Sequence, residues 1–239
     1  MSENEFQGEY VMIYNHDIHL PLRDRSEAGR MLATRVKAYV NRPDVVVLSL
    51  PRGGVPVGAE IALALHAPLA VFMVRKLGVP GHEELAMGAV TSGGRTLINH
   101  AMINSLHISD REVELAVERE LRELHRRERL YCRGCQIPEV KGKIVIVTDD
   151  GVATGSSMLL AAQALRAQGA AYVIVAVPVA PAEVISQLYK AVHEVICLAE
   201  PEPFVAVGHW YEDFHQLDDH EVCLILDQMF ERALELQSA

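Results

Sequence analysis

The amino-acid sequence predicts an α/β domain built on a parallel sheet with helices on both faces. Three observations carry that prediction. Short, β-branched, all-apolar runs alternate with segments of helical spacing, the pattern of strands covered on both sides by crossover helices. The chain has 239 residues, 50% of them apolar and 23% charged, which is enough to bury a large core as one domain or as one domain with an insertion. Its unusual turns fall directly after three of the apolar runs, at the edge where such sheets bind ligands.

The elements follow in order. Asp24 and Glu27 have capping-box spacing, and Ala28, Leu32, Val36 and Val40 then recur as one helical stripe. After Pro43, the run DVVVLSL (44–50) reads as a buried strand, PRGGVPVG (51–58) as a tight turn, and AEIALALH as the helix that follows. LAVFMV (69–74) reads as a second strand that ends at Arg75-Lys76 and a loop containing Gly78, Pro80 and Gly81. Residues 86–99 suit a hairpin in which AMGAVT and RTLIN are joined across SGG. Ser109 and Glu112 open a long charged helix over 110–131, with Val113, Val117, Leu121 and Leu124 on one stripe. Its dense Glu/Arg alternation is the signature of a solvated face with i,i+4 pairs. Strand KIVIVT (143–148), the turn DDGVATGSS, a helix over 156–168, strand YVIVAVPV (172–179), a helix from Pro181 to about Tyr189 and strand EVICLA (194–199) complete the alternation. A last helix carries Val222, Leu226, Met229, Phe230 and Ala233.

Charge and cysteine usage bound the partners. The formal charge is −10, but residues 198–239 hold ten acids and one base, so residues 1–197 carry only −1. Seven arginines in 111–133 are nearly cancelled by eight acids in 110–139, which argues against a nucleic-acid partner. No stretch approaches the roughly 18–20 apolar residues of a membrane span, and the first thirty residues lack the pattern of a signal peptide. The expected compartment is the cytoplasm, with reduced thiols. Cys132 and Cys135 form a single CxxC that reads as half a zinc site, a redox pair or two ordinary thiols; His125 nearby fits no standard spacing.

The segment KIVIVTDDGVATGSS (143–157) carries the strongest chemistry. A buried strand delivers two adjacent carboxylates, Asp149 and Asp150, to the sheet edge. Such a pair needs hydroxyls, cations or a hydrated metal to offset its desolvation and mutual repulsion. Directly after it, Gly151 and Gly155 permit unusual backbone angles, Thr154, Ser156 and Ser157 supply hydroxyls, and a helix begins whose free N–H groups favour phosphate. Acids for a ribose diol beside a cradle for a 5-phosphate describe a site for a sugar phosphate. The segment is neither a Walker loop nor a dinucleotide fingerprint.

Residues 143–157 resemble the phosphoribosyl-pyrophosphate (PRPP) signature of type I phosphoribosyltransferases, and the other two turns match that family in order. Leu50-Pro51-Arg52-Gly53-Gly54 resembles its pyrophosphate loop, which contains a non-proline cis peptide, here expected at Pro51–Arg52. Arg75-Lys76-Leu77-Gly78-Val79-Pro80-Gly81 resembles the start of its mobile loop. The run VRKLGVPGHEELAMGAV and the WYEDF segment look like a bacterial subfamily whose substrate is undefined. The resemblance covers about residues 26–200 and implies a Rossmann-like parallel sheet with a small hood subdomain. Residues 86–140 would be an inserted hairpin and long helix, the helix over 110–131 a hood part or dimer arm, and 200–239 an acidic segment able to supply a hood.

By position, the resemblance implies that Asp149 and Asp150 bind the ribose hydroxyls and help place Mg²⁺ through water and substrate. Gly151, Val152, Ala153, Thr154, Gly155, Ser156 and Ser157 would surround the 5-phosphate, and Pro51, Arg52, Gly53, Gly54, Arg75 and Lys76 the pyrophosphate. Asp149, Asp150, Arg52 and Lys76 are the catalytic candidates, acting on PRPP and a small nitrogen acceptor in a homodimer. Ala153 stands where purine-salvage members carry an Asp, which leaves the acid/base unnamed, with Glu83 and Glu84 as candidates and His82 beside them. That departure keeps open a PRPP-sensing regulator without turnover, and a hydrolase using the same cradle. Trp210, Tyr211 and Phe214 could stack on an acceptor or pack the acidic tail against the sheet.

Overall fold

The computed structural model describes residues 18–131 and 138–238, so the CxxC at Cys132 and Cys135 lies outside the described residues. Five strands form a wholly parallel sheet: β1 (Val45–Ser49), β2 (Leu69–Val71), β6 (Ile144–Thr148), β7 (Tyr172–Val179) and β8 (Glu194–Ala199), in the order β2-β1-β6-β7-β8. The all-apolar character of these runs follows from burial on both faces. Val46, Leu48, Val145, Val147, Val173 and Val175 pack toward α5 (Ser156–Ala167) and α6 (Ala182–Tyr189). Their neighbours Val45, Val47, Ile144, Ile146 and Ile174 pack toward α1 (Arg25–Arg35) and α2 (Gly54–Leu65). A period of two thus divides each strand between two cores.

A second, antiparallel sheet of order β3-β4-β5 stands beyond β2: β3 (Val74–Val79), β4 (His82–Thr91) and β5 (Arg95–Ile98). This corrects the reading of 69–74 as one strand followed by a loop. The parallel strand stops at Val71, and Val74–Val79 is itself a strand. Gly78 is absorbed where the β3–β4 register shifts, and Pro80-Gly81 forms the turn, with Gly81 at φ 77°. The signals read as a loop belong to a bulge and a hairpin tip. Farther on, β4 and β5 make the hairpin anticipated across SGG.

The short helix α3 (His100–Ser105), not anticipated from the sequence, leads to α4 (Asp110–Tyr131). Ser109 and Glu112 close its capping box, the Glu112 carboxylate accepting from the Ser109 amide at 2.9 Å. Leu77, Met87, Val90, Leu124, Tyr131 and Val222 share one apolar cluster, which joins the antiparallel sheet and α4 to the last helix, α7 (Asp219–Ser238). No helix among the described residues is long and apolar enough to cross a membrane.

Candidate active site

The carboxyl ends of β1 and β6 lie side by side, because Ser49 pairs with Thr148, so the turns that follow them meet. Asp149 and Asp150 leave β6 directly beneath the turn at Pro51 to Gly54. A Cβ on Gly53 would overlap Asp150 Oδ2, and one on Gly54 would come within 2.8 Å of the Asp149 Cα. Only glycine lets the two loops close on each other there. The Pro51–Arg52 peptide is cis. Gly53 precedes α2 without a side-chain cap, but the Gly54 and Val55 amides donate to the Leu50 and Arg52 carbonyls at 3.1 Å and Pro56 has no N–H, so that helix start offers few free donors.

Past the acids the chain turns through Val152, whose amide donates to the Val179 carbonyl at 2.9 Å, and enters α5. Gly155 precedes that helix at φ 75°, a conformation that costs glycine little. No described side chain caps α5, and its first internal bond runs from the Leu159 amide to the Gly155 carbonyl, so the amides of 156–158 come before it. The Thr154 and Ser156 hydroxyls lie 3.4 Å apart in the same turn. Backbone donors, hydroxyls and the positive end of the helix dipole therefore converge, as an anion requires.

Electrostatics around the acids are uneven. Burial and the adjacent Asp150 charge push the Asp149 carboxyl well above the usual carboxylate range. Burial also raises Asp150, but the Arg25 guanidinium opposes it. Arg25 Nε donates to Asp150 Oδ2 at 2.8 Å, and the Asp150 amide donates to Asp149 Oδ1 at 2.9 Å. Among the described residues no three His, Cys, Asp or Glu side chains converge to hold a metal by themselves. Two carboxylates beside a phosphate cradle instead fit Mg²⁺, which takes one or two protein carboxylates and completes its shell with water and substrate oxygens.

The structure distributes the remaining sequence candidates differently. Arg75 and Lys76 are adjacent on β3 and so point to opposite faces. Arg75 Nε bonds Glu120 Oε2 of α4 at 2.6 Å, whereas Lys76 is exposed. Tyr211 and Phe214 pack with Leu22 and Ala28 beside α1. Tyr211 is 5% exposed and its hydroxyl donates to the Asp150 carbonyl at 2.6 Å. Phe214 stacks on Tyr211 and lies 3.9 Å beneath the Arg25 guanidinium. Trp210 rests beside Phe204, its ring centroid 6.3 Å away. Ala153 is exposed in the signature loop, and Glu83 follows His82 at the start of β4. Arg25 was missed by motif reading: its only sequence signal is the Asp24 cap that sets it at the head of α1, and Asp150 is 125 residues away.

A family model described as a phosphoribosyl transferase domain matches residues 25–212. Two Mycobacterium tuberculosis proteins, Rv0571c of strain H37Rv and MT0597 of strain CDC 1551, carry the provisional name phosphoribosyl transferase. Each is 42% identical over 205 residues, covering 86% of this chain and 46% of its own. The chain thus spans about half the length of the curated relatives it matches. The crystal structure of TT1426 from Thermus thermophilus is 38% identical, with a TM-score of 0.79 over 88% of this chain and 99% of that one.

Proposed function

Because the chain belongs to the phosphoribosyl transferase family, we propose that it transfers the 5-phosphoribosyl group from PRPP to a nitrogen acceptor, a nucleobase or related heterocycle, and releases pyrophosphate. One observation carries the reading: the Asp149-Asp150 pair sits between the uncapped N-terminus of α5 and the turn at 51–54, with Gly53 and Gly54 pressed against it. In the reaction the bond from the anomeric carbon to the pyrophosphate oxygen breaks, and a bond from that carbon to the acceptor nitrogen forms. Positive charge builds on the ring and negative charge on the leaving group. Asp149 and Asp150 hold the ribose hydroxyls and orient the ring. The amides of 156–158, with Thr154 and Ser156, hold the 5-phosphate, and the Gly53 amide with Arg52 receives the departing pyrophosphate, the Gly54 amide being engaged by the Leu50 carbonyl. From β3 that contact falls to Lys76, since Arg75 is engaged by Glu120. Mg²⁺, when bound, offsets the diphosphate charge. The hairpin tip at Pro80-Gly81 is proposed to close over the site and exclude water. We further propose a hood drawn from 86–140 and 200–239, a homodimeric state and a cytoplasmic setting.

Ala153 favours a second reading, a PRPP sensor without turnover, because no carboxylate stands there to relay the acceptor's proton. Calorimetric titration with Mg²⁺-PRPP, followed by a nucleobase panel scored by pyrophosphate release, separates the two. Binding with release supports the transferase, binding without release supports the sensor, and absent binding overturns both. The D149N/D150N double variant is expected to lose Mg²⁺-PRPP binding while keeping its circular dichroism spectrum.

A further inference from the structure

Arg25 is 7% exposed, so its charge must be met inside the protein. Three groups meet it: Asp150 Oδ2 at 2.8 Å from Nε, the His215 carbonyl at 3.0 Å from Nη1, and the Phe214 ring face at 3.9 Å. Behind them, Tyr211 stacks on Phe214 at 5.2 Å and its hydroxyl binds the Asp150 carbonyl. A charge-assisted hydrogen bond, a carbonyl and a ring face leave the guanidinium a single orientation. Asp150 Oδ2 is thereby committed to Arg25, and Asp149 Oδ1 to the Asp150 amide. Each commitment fixes the rotation of its carboxylate.

We propose that Arg25, held by Phe214 and His215, is a positioning residue for Asp150: it sets the affinity of the site for the sugar diol far more than for phosphate. The inference rests on the PRPP reading above, and it assigns the segment after β8 a part in sugar recognition. The phosphate donors come from other turns, 51–54 and 154–158; Arg25 is linked to the first of them through the Asp150 oxygen on which Gly53 packs, and its own hydrogen bonds go to Asp150 and His215. A pair that merely sealed α1 to the tail would, on removal, loosen the site for every ligand alike.

The test titrates Mg²⁺-PRPP and metal-free pyrophosphate into wild type, R25M and F214L. R25M is expected to weaken PRPP binding by at least about tenfold while pyrophosphate affinity stays within about twofold, the scale that separates coupled from independent sites. F214L keeps Arg25 and removes only the ring, so it should show the same selectivity at smaller size, and it decides the matter if R25M does not fold. Equal losses for both ligands, or no loss for either, overturn the role of Arg25 while leaving the proposed function standing. Wild-type protein that binds pyrophosphate but not PRPP overturns the proposed function, and the Arg25 role with it.

Discussion

Two carboxylates side by side in a desolvated cradle oppose folding, and at this site they do so unequally. Asp149 has no cation in contact among the described residues, and burial raises it well above its ordinary value of 3.8. A raised acid binds more protons folded than unfolded, so the native state loses stability as pH rises from the unfolded value through the folded one. Asn at 149 removes that penalty at neutral pH. D149N is therefore expected to melt higher by about 2–4 °C, the shift that about 1 kcal/mol makes in a domain of this size. D150N should do the opposite, because it leaves the buried Arg25 without its carboxylate, at a cost of about 1–3 kcal/mol. Scanning calorimetry at pH 7 checks the pair, and melting shifts of the same sign would contradict the account. The two acids are legible in the sequence because strand, acids, glycines and hydroxyls are contiguous over 143–157. Their inequality is not, since the cation that distinguishes them arrives from another helix and local spacing carries no sign of it.

Strand β3, whose punctuation suggests a loop, shows what period and turn residues can and cannot say about an element. Gly78, Pro80 and Gly81 are loop signals, but a bulged hairpin uses the same residues, and only the partner at 82–91 decides between them. The parallel strands are easier to read, because burial on both faces leaves an unbroken apolar run of the right length. Hairpin and long helix are tied through Glu120, whose side chain is 10% exposed and receives Arg75 at 2.6 Å and Arg119 at 3.0 Å. Dense charge alternation marks α4 as solvated, which its Arg126 and Arg127 pairs to Glu123 satisfy, but Glu120 is turned inward. E120A should destabilise the protein by about 1–3 kcal/mol, the cost of stranding a partly buried partner. Amide exchange should quicken along β3 before the parallel sheet is affected. Unchanged exchange in β3 would mean that the hairpin stands without α4.

At the scale of the whole molecule, the acidic tail divides into two parts with different work. Residues 211–215 press on Arg25 and the acid pair, while α7 packs in a different cluster, with Val222 fully buried alongside Leu77, Met87 and Leu124. Net charge hides this: the −9 of residues 198–239 reads as a solvating tail, yet the segment's apolar residues complete one core and its aromatics brace the site. The division predicts that the parts fail separately. V222D places a charge in the cluster shared by the hairpin, α4 and α7, where an unpaired carboxylate is expensive. Exchange should rise first in β3, β4 and α4, with β1, β6 and β7 still protected, because those strands pack on α1, α2, α5 and α6 instead. Arg25 and residues 211–215 remain in place, so Mg²⁺-PRPP affinity should fall less in V222D than in R25M. Loss of protection that is uniform across both sheets would show one cooperative unit, and the tail would then act on the site through global stability alone.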